Sequence, residues 1–408
     1  MRKALLILGA LIAGLLLGMA TKSATPVWTG IAETIGTLWL NGLRMTVIPL
    51  IIALLITGIA QTAQAASAGK LAAQGIATML GLLLCSTLTA AFLVPTLLSV
   101  FPMPSAAADM LRGALAQTHE SQPLPGFGEF LRTIIPTNPF AAAAQDSVLP
   151  LIIFVLAFAF AASRLPDGQR GAITGFFEAV ANAMIMVVGW VLWLAPLGVL
   201  ALAYVLGRAT GLAAFGALAH YVVILVATGA VIGASAFLVA YFGAGIGPAR
   251  FLRATIPAQA VAISTQSSLA SLPAMLAGVD QLGVRRPVSE VILPIAVALF
   301  RVTSPAMNLA VALYVAHWLG VALTPWHIAM GVAVAAVTTL GSVSLPGSIS
   351  FIGSIAPICL AMGLPIEPLG LLVAIETFPD IMRTLGNVTM DVAVTAAIDR
   401  RTENDMPV

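Results

Sequence analysis

The chain has 408 residues, of which 60% are hydrophobic and only 8% charged, with a formal net charge of +2. A soluble domain carries about 25% charged residues, so this composition excludes a soluble surface and points to an integral membrane protein. The small net charge gives no reason to expect nucleic acid, and Ala, Leu and Val runs without strand-like alternation favour helices over an outer-membrane barrel.

At the N-terminus, Met1-Arg2-Lys3 and an apolar run to Ala20 imitate a signal peptide. The many later apolar segments favour a retained first membrane helix. A spanning helix needs about 20 apolar residues, and the segments expected to span are 4–21, 42–59, 71–101, 148–163, 173–206, 217–242, 288–319 and 368–398. Residues 101–144 form the one long polar stretch, read as an external loop whose His119 is solvated. Cys85 and Cys359 lie in apolar segments, read as small buried side chains with no disulfide between them. The four histidines are scattered, and no metal-ligand spacing, phosphate loop or catalytic triad is present.

Two apolar segments differ from the rest. Residues 254–277 are interrupted by a Ser-rich stretch around Ser267, Ser268 and Pro273, and residues 328–362 by one around Leu345, Pro346 and Gly347. Each half is too short to span, which predicts two re-entrant hairpins, tolerable only where exposed backbone is buried in protein or lines a cavity. Paired broken segments point to a secondary transporter with inverted repeats. The alternative is a pair of ordinary helices kinked by proline. With both termini inside, Lys22, Arg112, Arg132 and Arg208 fall outside, and Arg44, Arg301 and Arg383 lie within helices. The rest of the 18 basic residues fall inside. That bias meets the positive-inside rule if each hairpin re-enters the side it left.

The last apolar segment carries Glu376, Asp380, Arg383, Asn387 and Asp391. On a helix they share a stripe roughly 80° wide. Ionisable groups at membrane depth face a protein interior or a watery cavity, so the stripe marks a binding site.

These residues resemble the glutamate transporter family, the dicarboxylate/amino acid:cation symporters. The resemblance rests on Arg44-Met45-Thr46-Val47-Ile48-Pro49-Leu50, Ile135-Pro136-Thr137-Asn138-Pro139-Phe140, Ala195-Pro196-Leu197-Gly198, the two hairpin tips and the run from Asp380 to Asp391. It implies an all-α membrane protein of eight transmembrane helices plus two hairpins, working as a homotrimeric elevator. A scaffold (1–65 and 102–210) would hold a transport domain (66–101 and 211–400), leaving 401–408 as a tail.

The resemblance also implies roles. Arg383 would grip a substrate carboxylate with its fork, and Glu376 would hold that arginine when the site is empty. A structural ion pair of Arg383 with Glu376 or Asp380 is the plainer reading. Asp380 would hold a substrate amino group, and Thr384, Asn387 and Ser304 would add polar contacts. Ser267, Ser268, Leu345 and Gly347 would contribute from the hairpin tips, although tip serines also serve as helix caps.

One motif departs from the family. Its seventh helix breaks at Asn-Met-Asp-Gly-Thr, whose oxygens hold sodium; this chain has Phe300-Arg301-Val302-Thr303-Ser304. In the third helix, Leu82 and Cys85 replace a tyrosine and a threonine of the same ion site, while Ser86 and Asp391 remain. Sodium wants several oxygen ligands, and Phe300, Val302 and Leu82 supply none from their side chains. Arg301 is therefore read as a built-in cation in place of sodium, paired with Asp391 or Asp380. Coupling would then come from protons, through Glu376, Asp380 or Asp391, or from exchange. The expected function is sodium-independent transport of acidic amino acids or small dicarboxylates across the inner (plasma) membrane, without cofactor or enzymatic activity. The alternatives are a conventional sodium symporter and, from another class, an anion channel or a transport-dead sensor.

Overall fold

The computed structural model describes residues 2–21, 26–67, 69–103, 135–145, 147–211, 213–341 and 347–404, and among these there are helices and connections but no strand. Most of the polar stretch after residue 101, including His119, lies outside them, as does Leu345. Chain order is α1 (Arg2–Ala20), α2 (Pro26–Ser67), α3 (Lys70–Val100), α4 (Pro139–Ala144), α5 (Val148–Ser163), α6 (Asp167–Trp193), α7 (Ala195–Thr210) and α8 (Ala213–Leu238). After a π turn (Val239–Gly243) come α9 (Pro248–Thr265), α10 (Ser268–Leu282), α11 (Arg286–Leu299), α12 (Thr303–Leu319), α13 (Pro325–Gly341), α14 (Gly347–Ala361), α15 (Glu367–Leu372) and α16 (Thr377–Asn404). Among the described residues, five segments are long and apolar enough to cross a membrane: Val27–Ser67, Lys70–Val100, Asp167–Trp193, Ala213–Gly243 and Arg286–Leu319.

Helices α1, α2, α5, α6 and α7 pack mainly on one another, α3, α8 to α11 and α14 pack around α12 and α16, and α13 and α15 lie against α2 and α7 respectively. Small residues make the closest crossings, as expected where apolar solvent supplies no drive for helices to associate. A Cβ added at Gly18 would meet the carbonyl oxygen of Tyr204, and one at Gly207 that of Leu15, so α1 and α7 touch backbone to backbone. On the other side, Gly229 and Gly233 of α8 bring that helix against Gly386 of α16.

Two expected single spans are broken. The segment 173–206 divides into α6 and α7 at Leu194 because Pro196 has no N–H for the carbonyl four residues back. The indole of Trp39 donates to the carbonyl of Val191 at this break (2.9 Å). The segment 368–398 divides into α15 and α16, with a turn over residues 373–376. Pro379 is tolerated in the first turn of α16 but would break a helix that continued through it. Glu376 therefore precedes the helix instead of riding on its stripe. Pro49, by contrast, sits inside the uninterrupted 42 residues of α2. At 1.5 Å per residue, α2 is roughly 60 Å long, about twice the hydrocarbon thickness.

Residues 254–277 fold as two short helices in contact, α9 and α10, with 18 and 15 residues. The chain reverses through Gln266, held at φ 52°. Helices α13 and α14, with 17 and 15 residues, likewise pack on each other. Cys359 is buried as expected, but Cys85 is exposed, because it faces outward with Leu84 and Leu88 on α3.

The α8–α16 crossing leaves no space at Gly386, where an added Cβ would lie 2.5 Å from Cγ2 of Thr303. Gly386→Leu should cost about 1–3 kcal/mol of stability by overpacking, read as a lower unfolding midpoint in detergent. Gly30→Ala, where nothing lies within 4 Å, should leave the midpoint unchanged or raise it.

Candidate functional site

Three chain interruptions converge on α16. The first is the break between α11 and α12. Pro305 has no N–H to give the carbonyl of Arg301, and the N–H of Ser304 bonds that carbonyl instead at 3.0 Å. Phe300 and Arg301 are left outside helix, and α12 restarts at Thr303. Asn387 caps this restart from α16: its Oδ1 accepts both the N–H (2.9 Å) and the hydroxyl (2.7 Å) of Thr303. The same hydroxyl lies 2.8 Å from the carbonyl of Arg383. Asn387 thus holds the broken element to α16, a structural duty in addition to the substrate contact expected for it.

The second interruption is the turn before α16. It places Glu376 so that Nη1 of Arg383 donates to its Oε1 (2.5 Å) and to Oδ1 of Asp380 (3.0 Å). Tyr221 of α8 donates to the other oxygen of Glu376 at 3.4 Å. The side chains of Arg383 and Glu376 are 9% and 3% exposed, a degree of burial that ion pairs tolerate only with such supporting bonds. Nε and Nη2 of Arg383 are also buried but have no partner. Nη1 is therefore tied down, and the Nε and Nη2 groups have no hydrogen-bond partner. Both the sequence-derived pairing with Glu376 and the plainer structural pair with Asp380 are present.

Thr384 donates its hydroxyl to the carbonyl of Asp380 (2.9 Å), and the hydroxyl of Ser304 is buried without a partner. The third interruption is the α9–α10 tip. Ser267 is the N-cap of α10, its Oγ accepting from the N–H of Ala270 at 3.2 Å, and Ser268 opens the helix. Both α9 and α10 lean on α16, where Gln259 donates to Thr389 at 3.0 Å. Capping is thus the role the structure gives Ser267. Gly347 is the first residue of α14.

The expected ion pair of Arg301 is not formed, and neither Asp380 nor Asp391 approaches its guanidinium within 4 Å. Arg301 is partly exposed in the unwound segment, with Nε buried and unpartnered. Asp391 is 0% exposed, and both its carboxylate oxygens lack a hydrogen-bond partner. Around the break, Phe300 and Val302 are each 1% exposed, so apolar side chains fill positions where oxygen ligands were expected to be missing. Ser86 bonds its own helix at Leu83 (2.8 Å), and Leu82 is half-buried. Among the described residues no group of three or more His, Cys, Asp or Glu could hold a metal ion.

Sequence reasoning missed Tyr221 and Thr303. A tyrosine inside the apolar α8 carries a hydroxyl that needs a buried partner, which was the available signal. Nothing in the local sequence around Thr303 showed that it would bridge two helices.

Apolar helices interrupted around buried charges form a membrane transporter's architecture. Residues 4–401 match the sodium:dicarboxylate symporter family, and the chain belongs to it. It is thus a multi-pass membrane protein of a transporter family, not an enzyme. A proton/sodium-glutamate symport protein of Bacillus subtilis (strain 168) is 29% identical over 93% of this chain and 88% of its own length. The proton/glutamate-aspartate symporter of Escherichia coli (strain K12) is 26% identical, over 94% and 89%. A C4-dicarboxylate transport protein of Anaeromyxobacter sp. (strain K) is also 26% identical, over 97% and 87%.

Asn387→Ala would strand the N–H of Thr303 in the interior, while its hydroxyl keeps the carbonyl of Arg383, at a cost of about 1–3 kcal/mol, and should weaken substrate binding. In a double-mutant cycle with Thr303→Val, the paired change should cost less than the sum of the single changes by more than about 0.5 kcal/mol, measured by thermal unfolding.

Proposed function

We propose that this protein is a secondary active transporter of acidic amino acids or small dicarboxylates that works without sodium. The observation that carries the reading is Arg383, with one edge tied to Glu376 and Asp380 and its Nε and Nη2 buried without a hydrogen-bond partner. A planar fork held in this way captures a carboxylate with two parallel bonds. Asp380 beside it favours a substrate that also brings an ammonium, hence aspartate or glutamate over a plain dicarboxylate. Thr384, Asn387 and Ser304 would add polar contacts, and Ser268, Leu345 and Gly347 would contribute from the hairpin tips. The named substrates of the three relatives agree with this class.

Arg301 supplies a fixed positive charge where related carriers would bind sodium, acting across space without a direct pair. Arg301 and Arg383 face Glu376, Asp380 and Asp391, which leaves one negative charge in excess. An unpaired carboxylate in a protein interior is costly enough that it is neutralised. Asp391 is the group left without a partner, and we assign the coupling proton to it.

Translocation follows an elevator. Residues 1–65 and 102–210 would form a trimeric scaffold, and 66–101 and 211–400 the body that slides within it. Both termini would be cytoplasmic and the membrane the cell's inner (plasma) membrane. A second reading, sodium coupling at displaced sites, is favoured by the same unpartnered Asp391, since a cation would also satisfy it.

Calorimetric titration with aspartate and glutamate should give equal affinities in sodium and in choline salts; steep sodium dependence would select the second reading. In liposomes, uptake should be driven by an inward proton gradient and be indifferent to a sodium gradient. Uptake that ignores pH and needs internal substrate would identify an exchanger. Arg301→Met should weaken binding without restoring sodium use, because the asparagine and aspartate of the family motif are still absent.

A further inference from the structure

Arg44 lies midway along α2, and Glu367 opens α15, just before the turn that carries Glu376. Nη1 of Arg44 is 2.9 Å from Oε1 of Glu367, and the two side chains are 39% and 22% exposed. The surrounding joint is apolar and close-fitting: a Cβ added at Gly370 would meet Leu40, and one at Gly353 would lie 2.9 Å from Cδ2 of Leu50. The ion pair adds a charged contact between α2 and α15 at the same register. Glu367 is also joined through α15 and the following turn to Glu376, and so to the arginine expected to bind substrate.

We propose that Arg44 and Glu367 form a latch that holds the sliding body in the register seen here, so that its rupture helps set the rate of translocation. This rests on the two-body sliding reading given above. The pair touches neither Arg383 nor Asp391, so it acts on movement and leaves substrate affinity alone. It is partly exposed, and pairs of this kind shift an equilibrium by only about two- to fivefold.

The test uses purified full-length protein in liposomes. Arg44→Gln and Glu367→Gln should each raise the initial rate of aspartate uptake about two- to fivefold, with the aspartate Kd within about twofold of wild type. The charge-swapped double variant Arg44→Glu/Glu367→Arg should return the rate to the wild-type value, which loss of structure would not do. Wild-type rates in both glutamine variants, or a swap that fails to restore the rate while Kd is normal, would overturn the latch. A second arm places cysteines at both positions, with Cys85 and Cys359 replaced, and joins them by a short bis-methanethiosulfonate reagent. A cross-link that stops uptake until a thiol is added is expected. A cross-link that forms and leaves uptake intact would overturn the sliding reading and the latch together. Arrest by the cross-link with unchanged rates in the glutamine variants would retire the latch alone.

Discussion

A charge that leaves water for a protein interior has to be compensated, and the arrangement around α16 follows from that constraint. Glu376, Asp380, Arg383 and Asp391 lie in or just before this helix, and Arg301 in the broken element that packs on it. Arg383 meets the requirement for Glu376 and Asp380 by direct contact. Asp391 has no such partner, although it is completely buried. Arg301 carries the opposite charge in the broken element but forms no ion pair with it.

The same constraint explains why helices break where they do. A continuous helix satisfies all its own backbone groups and offers none to a ligand. Interrupting helices at Phe300–Val302, at residues 373–376 and at the α9–α10 tip frees backbone and side-chain groups at one place. Each interruption must then be repaired by neighbours. Asn387 repairs the restart of α12, Ser267 the restart of α10, and Glu376 with Tyr221 holds the guanidinium that the turn would otherwise leave loose. Glycine crossings between α8 and α16 bring the helices close enough for these short side chains to reach.

Much of this was readable before the structure was seen. Composition alone indicated a helical membrane protein, and the Ser-rich interruption of residues 254–277 showed where α9 gives way to α10. The spacing of Asp380, Arg383, Asn387 and Asp391 showed which face of α16 would be occupied. The pairing of those groups was not legible, because hydrogen-bond geometry depends on elements far apart in sequence. Glu376 belongs to a turn and not to the stripe, since α16 begins at Thr377 with Pro379 in its first turn. Arg301 was expected to touch an acid, but its backbone leaves the helix one residue earlier and no carboxylate comes within range. Cys85 looked buried by composition, yet an apolar helix facing lipid or a partner exposes apolar side chains as readily as it buries them.

The central claim is that Asp391 carries a proton and that no alkali ion sits beside it. Infrared difference spectroscopy on the membrane-reconstituted protein, comparing substrate-bound and substrate-free states, reads that carboxyl group directly. The account predicts a protonated-carboxyl carbonyl band that is absent in Asp391→Asn and unchanged when sodium replaces potassium. A band that disappears on adding sodium, or a spectrum in which Asp391→Asn alters only carboxylate bands, would contradict it.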